Sequence, residues 1–141
     1  MASRGVYVEH LRKVDLFAGL TKKELEQVAM AGSEVDIAVG KVLIEQGHTG
    51  SDAFVVLKGT FVVRRNGRKV ATLHAGDIVG EMALLDDGLR SATVECTEAG
   101  SVLVIGRGQF RAVVDSIPKL SHKLLASMAA RIRNVDTSLL G

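Results

Sequence analysis

The sequence predicts a mainly β domain with flanking helices. The middle of the chain, 33–106, contains short apolar segments separated by glycines, which is the pattern of a β-sandwich or barrel. The segments on either side of it carry apolar residues at helical spacing. A single domain of 141 residues is long enough to bury a core without disulfides.

The N-terminal part, 1–32, is predicted to be helical. Thr21 and Glu24 have the spacing of a capping box, in which each side chain accepts a hydrogen bond from the other residue's amide. Apolar residues follow at helical spacing, and Gly32 is placed to end this helix.

The middle part is predicted to contain eight strands. They are expected at 34–39, 41–45, 53–58, 60–65, 69–73, 77–79, 92–97 and 101–105. Asn66-Gly67 stands between two of them and is a strong hairpin signal, because both residues tolerate a positive φ.

The last part, 107–141, is predicted to be helical again. Pro118 is tolerated in the first turn of a helix and marks the start of the longer one. An apolar stripe follows, formed by Leu120, Leu124, Met128, Ile132, Val135 and Leu139. The stripe is interpreted either as a face that packs on the β region or, in its later part, as a homodimer seam.

Composition excludes several classes of protein. The net charge of +2 is too small to indicate a nucleic-acid or membrane-surface protein. The only cysteine, Cys96, cannot form an internal disulfide and is expected in the core, and no Cys/His cluster suggests a zinc site. No apolar run reaches the roughly 18 residues of a membrane span, and the N-terminus lacks the apolar core of a signal peptide. A cytoplasmic location is therefore expected.

The segment 78–93 is the best candidate for a ligand site. After Gly80, helix formers at 81–85 interrupt the β region, and the first amides of such a turn can bind an anion. Arg90 offers a planar fork for a phosphate, Ser91 a hydroxyl, and Glu81 an acceptor for a sugar hydroxyl. The alternative is an Arg–Glu pair that merely closes a surface loop.

Two residue strings favour the ligand site. Gly80-Glu81-Met82-Ala83-Leu84 and Arg90-Ser91-Ala92-Thr93-Val94 together resemble the phosphate-binding cassette of cyclic nucleotide-binding domains. The resemblance covers nearly the whole chain. It also rests on Leu16-Phe17, Leu20-Thr21, Val42-Leu43-Ile44, Gln46-Gly47, Asp52, Gly59 and Gly76-Asp77.

The resemblance implies a β-jelly-roll (double-stranded β-helix) with N-terminal helices and a C-terminal hinge or lid helix. It also implies one cyclic nucleotide-binding domain over 1–141. That domain has N-terminal helices at 1–32, a β-roll at 33–106 with its cassette at 80–92, and C-terminal helices at 107–141.

The resemblance also assigns roles to residues. Arg90 is expected to pair with the cyclic phosphate, and Glu81 to accept from the ribose 2′-hydroxyl. The rest of the ligand shell is expected from Gly80, Met82, Ala83, Ser91 and Ala92, and the base pocket from Val63, Val70 and Leu73. Val79 departs from the pattern, since many members carry an aromatic residue before the Gly-Glu pair.

The implied function is a cyclic nucleotide sensor or regulatory module, not an enzyme, which needs no cofactor. Ser91, in place of the threonine that favours cGMP, predicts cAMP as the ligand more than cGMP. The signal is expected to pass through movement of the C-terminal helix. No residue stands out as the cap of the base among Arg131, Asn134, Val135, Asp136 and Thr137.

What the module controls stays open in the sequence. It fits a stand-alone sensor that signals to a separate effector protein. It equally fits a regulatory domain cut from a channel, kinase, acetyltransferase or transcription factor. A third reading is a β-roll scaffold that has lost its ligand, which Glu81 and Arg90 argue against. Direct DNA binding is not expected without a helix-turn-helix. A metal-dependent jelly-roll enzyme is disfavoured by the lack of a His-x-His pair.

Overall fold

A computed structural model of the chain describes residues 4–81 and 88–140, with the backbone alone at 4–7, 128 and 131–140. The helices are α1 Arg4–Arg12, α2 Lys22–Met30, α3 Arg107–Ser116 and α4 Pro118–Leu140, with a short 3-10 helix at Asp15–Phe17. The strands are β1 Gly32–Ile37, β2 Val42–Ile44, β3 Asp52–Arg65, β4 Arg68–Leu73, β5 Ile78–Val79 and β6 Thr93–Gly106.

Strands β3 and β6 form the centre of an antiparallel six-stranded sheet. Each is 14 residues long, and they pair with each other along most of that length. Strands β1 and β2 pair with opposite ends of β6, while β4 and β5 pair with opposite ends of β3. The two long strands therefore run through both halves of the sheet. This confirms the predicted β-roll with flanking helices.

The prediction of eight strands was wrong at two glycines, where the structure has two long strands instead of four short ones. Gly59 has a φ of +88°, and a Cβ there would lie 2.5 Å from the carbonyl oxygen of Glu98. A Cβ at Gly100 would overlap the carbonyl of Lys58. These glycines allow β3 and β6 to bend together while their pairing shifts register, so the chain continues through a bulge rather than turning.

The predicted capping box at the start of α2 and the predicted hairpin turn are confirmed. Thr21 Oγ1 accepts from the amide of Glu24 at 3.1 Å, and Glu24 Oε1 accepts from the amide of Thr21 at 2.8 Å. Asn66 and Gly67 have φ values of +54° and +80°, which is the turn expected between β3 and β4.

Gly32 does not end helix α2 in the way that the sequence predicted. Helix α2 ends at Met30 with Ala31 as its cap, and Gly32 begins β1 without a positive φ. A Cβ at Gly32 would lie 2.7 Å from Cγ of Leu103, so this glycine serves the close approach of β1 to β6.

Buried apolar residues form two clusters on opposite faces of β3 and β6. The first cluster, here called the outer core, joins the helices to one face and includes Phe17, Leu25, Val55, Leu103, Phe110 and Leu120. The second, here called the roll interior, contains Ile37, Ile44, Phe54, Val56, Phe61, Val63, Ala92, Val94, Cys96 and Val102. The split follows the alternation of side chains along a strand.

Cys96 is a core residue, as expected. It is 1% exposed in the roll interior, and its Sγ donates to the carbonyl of Glu98 at 3.1 Å. Burial raises the pKa of its thiol, which disfavours the reactive thiolate.

The first turns of α4 are fastened to the N-terminal segment. Leu120 and Leu124 are buried in the outer core. Lys119 forms an ion pair with Glu24 at 2.8 Å, and Lys123 donates to the carbonyl of Asp15 at 3.4 Å. Across 4–81 and 88–140, none of the helices combines the length and apolar character that crossing a bilayer requires.

Candidate functional site

The side chain of Arg90 is held by backbone carbonyls from two different segments. Its Nη2 donates to the carbonyl of Asp52 at 2.7 Å, and its Nη1 donates to the carbonyl of Gly80 at 3.3 Å. Asp52 begins β3 and Gly80 follows β5, and these strands are paired neighbours. The planar group is thus oriented by the protein's own backbone, and its other N–H groups suit an anion.

The backbone of Arg90 is fixed by the segment that precedes β3. Its amide donates to the carbonyl of His48, and its own carbonyl accepts from the amide of Gly47, both at 2.8 Å. Three residues further on, Thr93 Oγ1 accepts from the amide of Gln46 at 3.0 Å. The amide and the carbonyl of Arg90 are therefore both hydrogen-bonded to the segment 46–48, which also bonds the side chain of Thr93.

Two glycines make room for this guanidinium. A Cβ at Gly50 would lie 2.6 Å from both Nε and Nη2 of Arg90. At Gly80, where φ is +82°, a Cβ would lie 2.9 Å from Nη1 of Arg90 and 3.1 Å from the carbonyl oxygen of Asp52. The seat of Arg90 therefore consists of two carbonyls and two glycines.

The electrostatic setting of Arg90 suits a site that receives a negative charge. Burial lowers the pKa of its guanidinium, the carboxylate of Asp52 raises it, and the positive charge of Arg107 lowers it. Arginine nevertheless stays protonated near neutral pH, because its ordinary pKa lies far above that range. A partly desolvated cation near a second cation gains from an incoming anion.

Glu81 is buried directly after Gly80. Only 7% of it is exposed. It lines a cleft of about 590 Å³ together with residues near the 3-10 helix, at the turn before β5 and on α4. The residues of α4 that line the cleft are Lys123, Leu124, Ala126 and Ser127. Glu81 is thus the point at which the candidate ligand site meets the C-terminal helix.

The predicted base pocket is brought together only in part. Val63 and Ala92 are buried in the roll interior, and Leu73 packs against it. Val70 is 52% exposed and lies outside this cluster. The reason is strand alternation: Leu73 and Ala71 pair with the inward-facing Phe61 and Val63, so Val70 points to the opposite face of β4.

The remaining predicted residues fall into two groups. Ser91 is exposed beside Arg90, and Val79 packs against the roll interior as an apolar residue should. Met82 and Ala83 lie outside the described residues, as do the side chains of the five candidate cap residues at 131–137. Among the described residues, no group of three or more metal-ligating side chains comes together.

The hairpin between β3 and β4 is tied to the same region. Arg65 Nε donates to the carbonyl of Ser91 at 3.2 Å. The side chain of Gln46 forms two hydrogen bonds with Asn66, accepting from its amide at 2.9 Å and donating to its Oδ1 at 2.8 Å. The hairpin tip is therefore held at the edge of the Arg90 seat.

Sequence reasoning did not identify the segment 46–52 as the support of Arg90. The glycines and Asp52 of this segment are visible as a pattern, but they act through a backbone carbonyl and through the absence of a side chain. The useful signal was Gly50 two residues before Asp52, in a segment with no apolar residues.

Comparison with known proteins gives the same picture at the level of the family. A family model described as the cyclic nucleotide-binding domain matches residues 34–116. The Cyclic AMP receptor protein of Thermus thermophilus is 31% identical over 129 residues, which cover 88% of this chain and 60% of that protein. A cAMP-dependent protein kinase type II regulatory subunit of Drosophila melanogaster is 32% identical, covering 79% of this chain and 29% of its own.

Solved structures agree. The catabolite activator protein of Thermus thermophilus superposes with a TM-score of 0.82 at 32% identity, covering 89% of this chain and 61% of that one. The regulatory domain of Toxoplasma gondii PKA with cAMP superposes with a TM-score of 0.73 at 32% identity, covering 82% and 46%. The chain spans 60% or less of the length of these curated relatives. Its sequence and its fold place this chain in the cyclic nucleotide-binding domain family, as a regulatory domain.

Proposed function

We propose that the chain is a sensor that binds cAMP in preference to cGMP and signals through the C-terminal helix α4. The observation that carries this proposal is the seat of Arg90, whose guanidinium is oriented by the carbonyls of Asp52 and Gly80. A preoriented, partly desolvated guanidinium suits the single negative charge of a cyclic phosphate. The ligand is bound and released unchanged.

The other contacts are those that the family resemblance implies for this chain's residues. Glu81, buried one residue after Gly80, accepts from the ribose 2′-hydroxyl. Gly80 lets the backbone approach the ligand, and the Ser91 hydroxyl with the amides of Met82, Ala83 and Ala92 completes the phosphate shell. The base lies against Val63 and Leu73, whereas Val70 is exposed and lies outside their cluster.

The choice of cAMP rests on Ser91 and on the relatives. Two of the relatives described above are named for cAMP, and the solved regulatory domain of Toxoplasma gondii PKA is in complex with cAMP. Proteins named as cGMP-dependent protein kinases also match, at 23% to 29% identity. Since the relatives are longer than this chain, we propose that the sensor acts on an effector, either attached or separate.

Thermal melts and calorimetry with cAMP and cGMP test the ligand. A ligand that binds only the folded state, at about 100 times its dissociation constant, adds roughly 2.7 kcal/mol. Saturating cAMP is therefore expected to raise the melting temperature by several degrees, and cGMP to raise it less. If neither nucleotide shifts the melt, the chain is a scaffold rather than a sensor.

The cleft between Glu81 and α4 supports the proposed route of the signal. Helix α4 is joined to α3 through Ile117 alone, and its first turns are fastened by Leu120 and Leu124. The cleft lies between Glu81 and the part of α4 at 123–127, so a movement of that helix would change the surroundings of Glu81. Such a lid is a population shift driven by different contacts in the two states.

Truncation after Arg131 separates a lid from a dimer seam. The cut chain is expected to fold, because both clusters of buried residues lie before that point. A lid predicts weaker cAMP binding, chiefly through severalfold faster release, since the lid acts on a seated ligand. Stopped-flow release of a fluorescent cAMP analogue and light scattering measure both properties. An unchanged release rate in a chain that has become monomeric would contradict the lid and favour the seam.

A further inference from the structure

The tip of the β3–β4 hairpin concentrates positive charge. Arg65 pairs directly with Arg68, and Arg64 pairs with Lys69. Like charges opposite each other in an antiparallel pair destabilise it. Three of these side chains are exposed and Arg64 is half-buried. Within the part of the chain that the structure describes, none of the four forms an ion pair with a carboxylate.

The position of this charge relates it to the candidate ligand site. Arg65 follows Phe61 and Val63 at steps of two along β3, so it lies on the face of the strand that turns towards the roll interior. Its Nε donates to the carbonyl of Ser91, next to Arg90. The bonds between Gln46 and Asn66 hold the tip in this place. Arg65 and its direct partner Arg68 therefore lie at the rim of the Arg90 seat, and the adjacent pair Arg64 and Lys69 lies on the other face of the same hairpin tip.

We propose that Arg65 and Arg68, together with the charge of Arg64 and Lys69 on the other face of the hairpin tip, form a capture surface that speeds the association of the anionic nucleotide. The inference rests on the proposed function, because it needs an anionic ligand that enters this site. A cleft edged by charge of one sign raises the local concentration of an oppositely charged ligand and its association rate. The repulsion within the hairpin is tolerated because the cations act on the ligand before it is seated.

Neutralising the three cations other than Arg65 tests the capture surface. The variant combines Arg64→Gln, Arg68→Gln and Lys69→Gln, and it keeps Arg65 because that residue holds Ser91. Stopped-flow mixing with a fluorescent cAMP analogue is expected to show an association rate about three- to tenfold lower at low salt. The difference should shrink towards physiological ionic strength, where screening is effective within about 8 Å. The release rate should change less than about twofold, and the melting temperature should stay or rise.

A matched variant controls for net charge. Arg12→Gln, Lys22→Gln and Lys23→Gln remove the same charge from exposed positions on α1 and around the start of α2. Their association rate is expected to stay within about twofold of the wild type, because steering depends on where the charge lies. An equal fall in both variants would overturn the proposal, because net charge alone would then account for it.

Other outcomes separate this inference from the proposed function. Binding of cAMP at a rate that ignores both salt and the hairpin substitutions overturns the capture surface and leaves the sensor intact. A loss that appears only in the release rate makes these residues ligand contacts and also overturns capture. If the wild type binds no cyclic nucleotide, the proposed function and this inference fail together.

Discussion

Replacing Arg90 with alanine is expected to weaken cAMP binding by about 2–5 kcal/mol, or roughly thirtyfold to several thousandfold. The loss is large because the phosphate would enter a partly desolvated site and lose its charged partner there. Arg90→Lys should recover only part of it, because one ammonium cannot hold the carbonyls of Asp52 and Gly80 and also present a fork to the phosphate. Calorimetry with cAMP measures both variants.

Two comparisons make the Arg90 result specific. Arg12→Ala removes an exposed arginine from the end of α1 and should leave cAMP affinity unchanged. Glu81→Ala should cost less than Arg90→Ala and should make cAMP and 2′-deoxy-cAMP bind equally. An Arg90→Ala protein that stays folded and keeps wild-type affinity would contradict the phosphate role. Retained discrimination after Glu81→Ala would contradict the ribose role.

The parts of the fold that the sequence predicted well depend on local interactions. The capping box at Thr21 and Glu24 and the turn at Asn66-Gly67 each need only neighbouring residues, so their spacing was sufficient. The long strands could not be predicted in the same way. Gly59 and Gly100 lie 41 positions apart, and only the pairing of β3 with β6 brings them to the same bend.

The candidate site also has parts that the sequence could predict and parts that it could not. Arg90 and Glu81 could be identified because their side chains carry the chemistry. The carbonyls of Asp52 and Gly80 could not, because every residue has a carbonyl and only the fold decides which two point at the guanidinium. Val70 illustrates a third case. It lies three positions from Leu73 on the same strand, so alternation places the two side chains on opposite faces, and the strand pattern could have excluded Val70 from the pocket.

The capture surface connects these observations to the kinetics of the sensor. Arg90 is bonded to two backbone carbonyls and partly buried, so it contributes to holding the phosphate more than to attracting it. Three of the four hairpin cations are exposed, and Arg65 and Arg68 lie at the rim. Association and release are therefore expected to depend on different residues, which makes the two rates separable by mutation.

Substituting Gly50 with alanine is expected to weaken cAMP binding by at least about tenfold, or about 1.4 kcal/mol, while the fold stays intact. The new Cβ would lie 2.6 Å from Nε and Nη2 of Arg90, and the guanidinium, as the flexible end of a side chain, can move away without a shift of the backbone, although it gives up its bonds to Asp52 and Gly80. Gly50 has no positive φ, so alanine introduces no backbone strain there. The expected loss therefore reflects the displaced guanidinium alone.

Two further glycine substitutions serve as comparisons for Gly50→Ala. Gly108→Ala adds a methyl group in open space on α3 and should leave cAMP affinity unchanged while stabilising the chain by up to about 1 kcal/mol. Gly80→Ala should lose both affinity and stability, because φ there is +82° and the Cβ would also crowd the carbonyl of Asp52. Melting temperatures without ligand, set beside calorimetry with cAMP, distinguish the three variants. Wild-type affinity in Gly50→Ala would mean that the phosphate does not need Arg90 in its present seat, and the proposed preorganisation would be wrong.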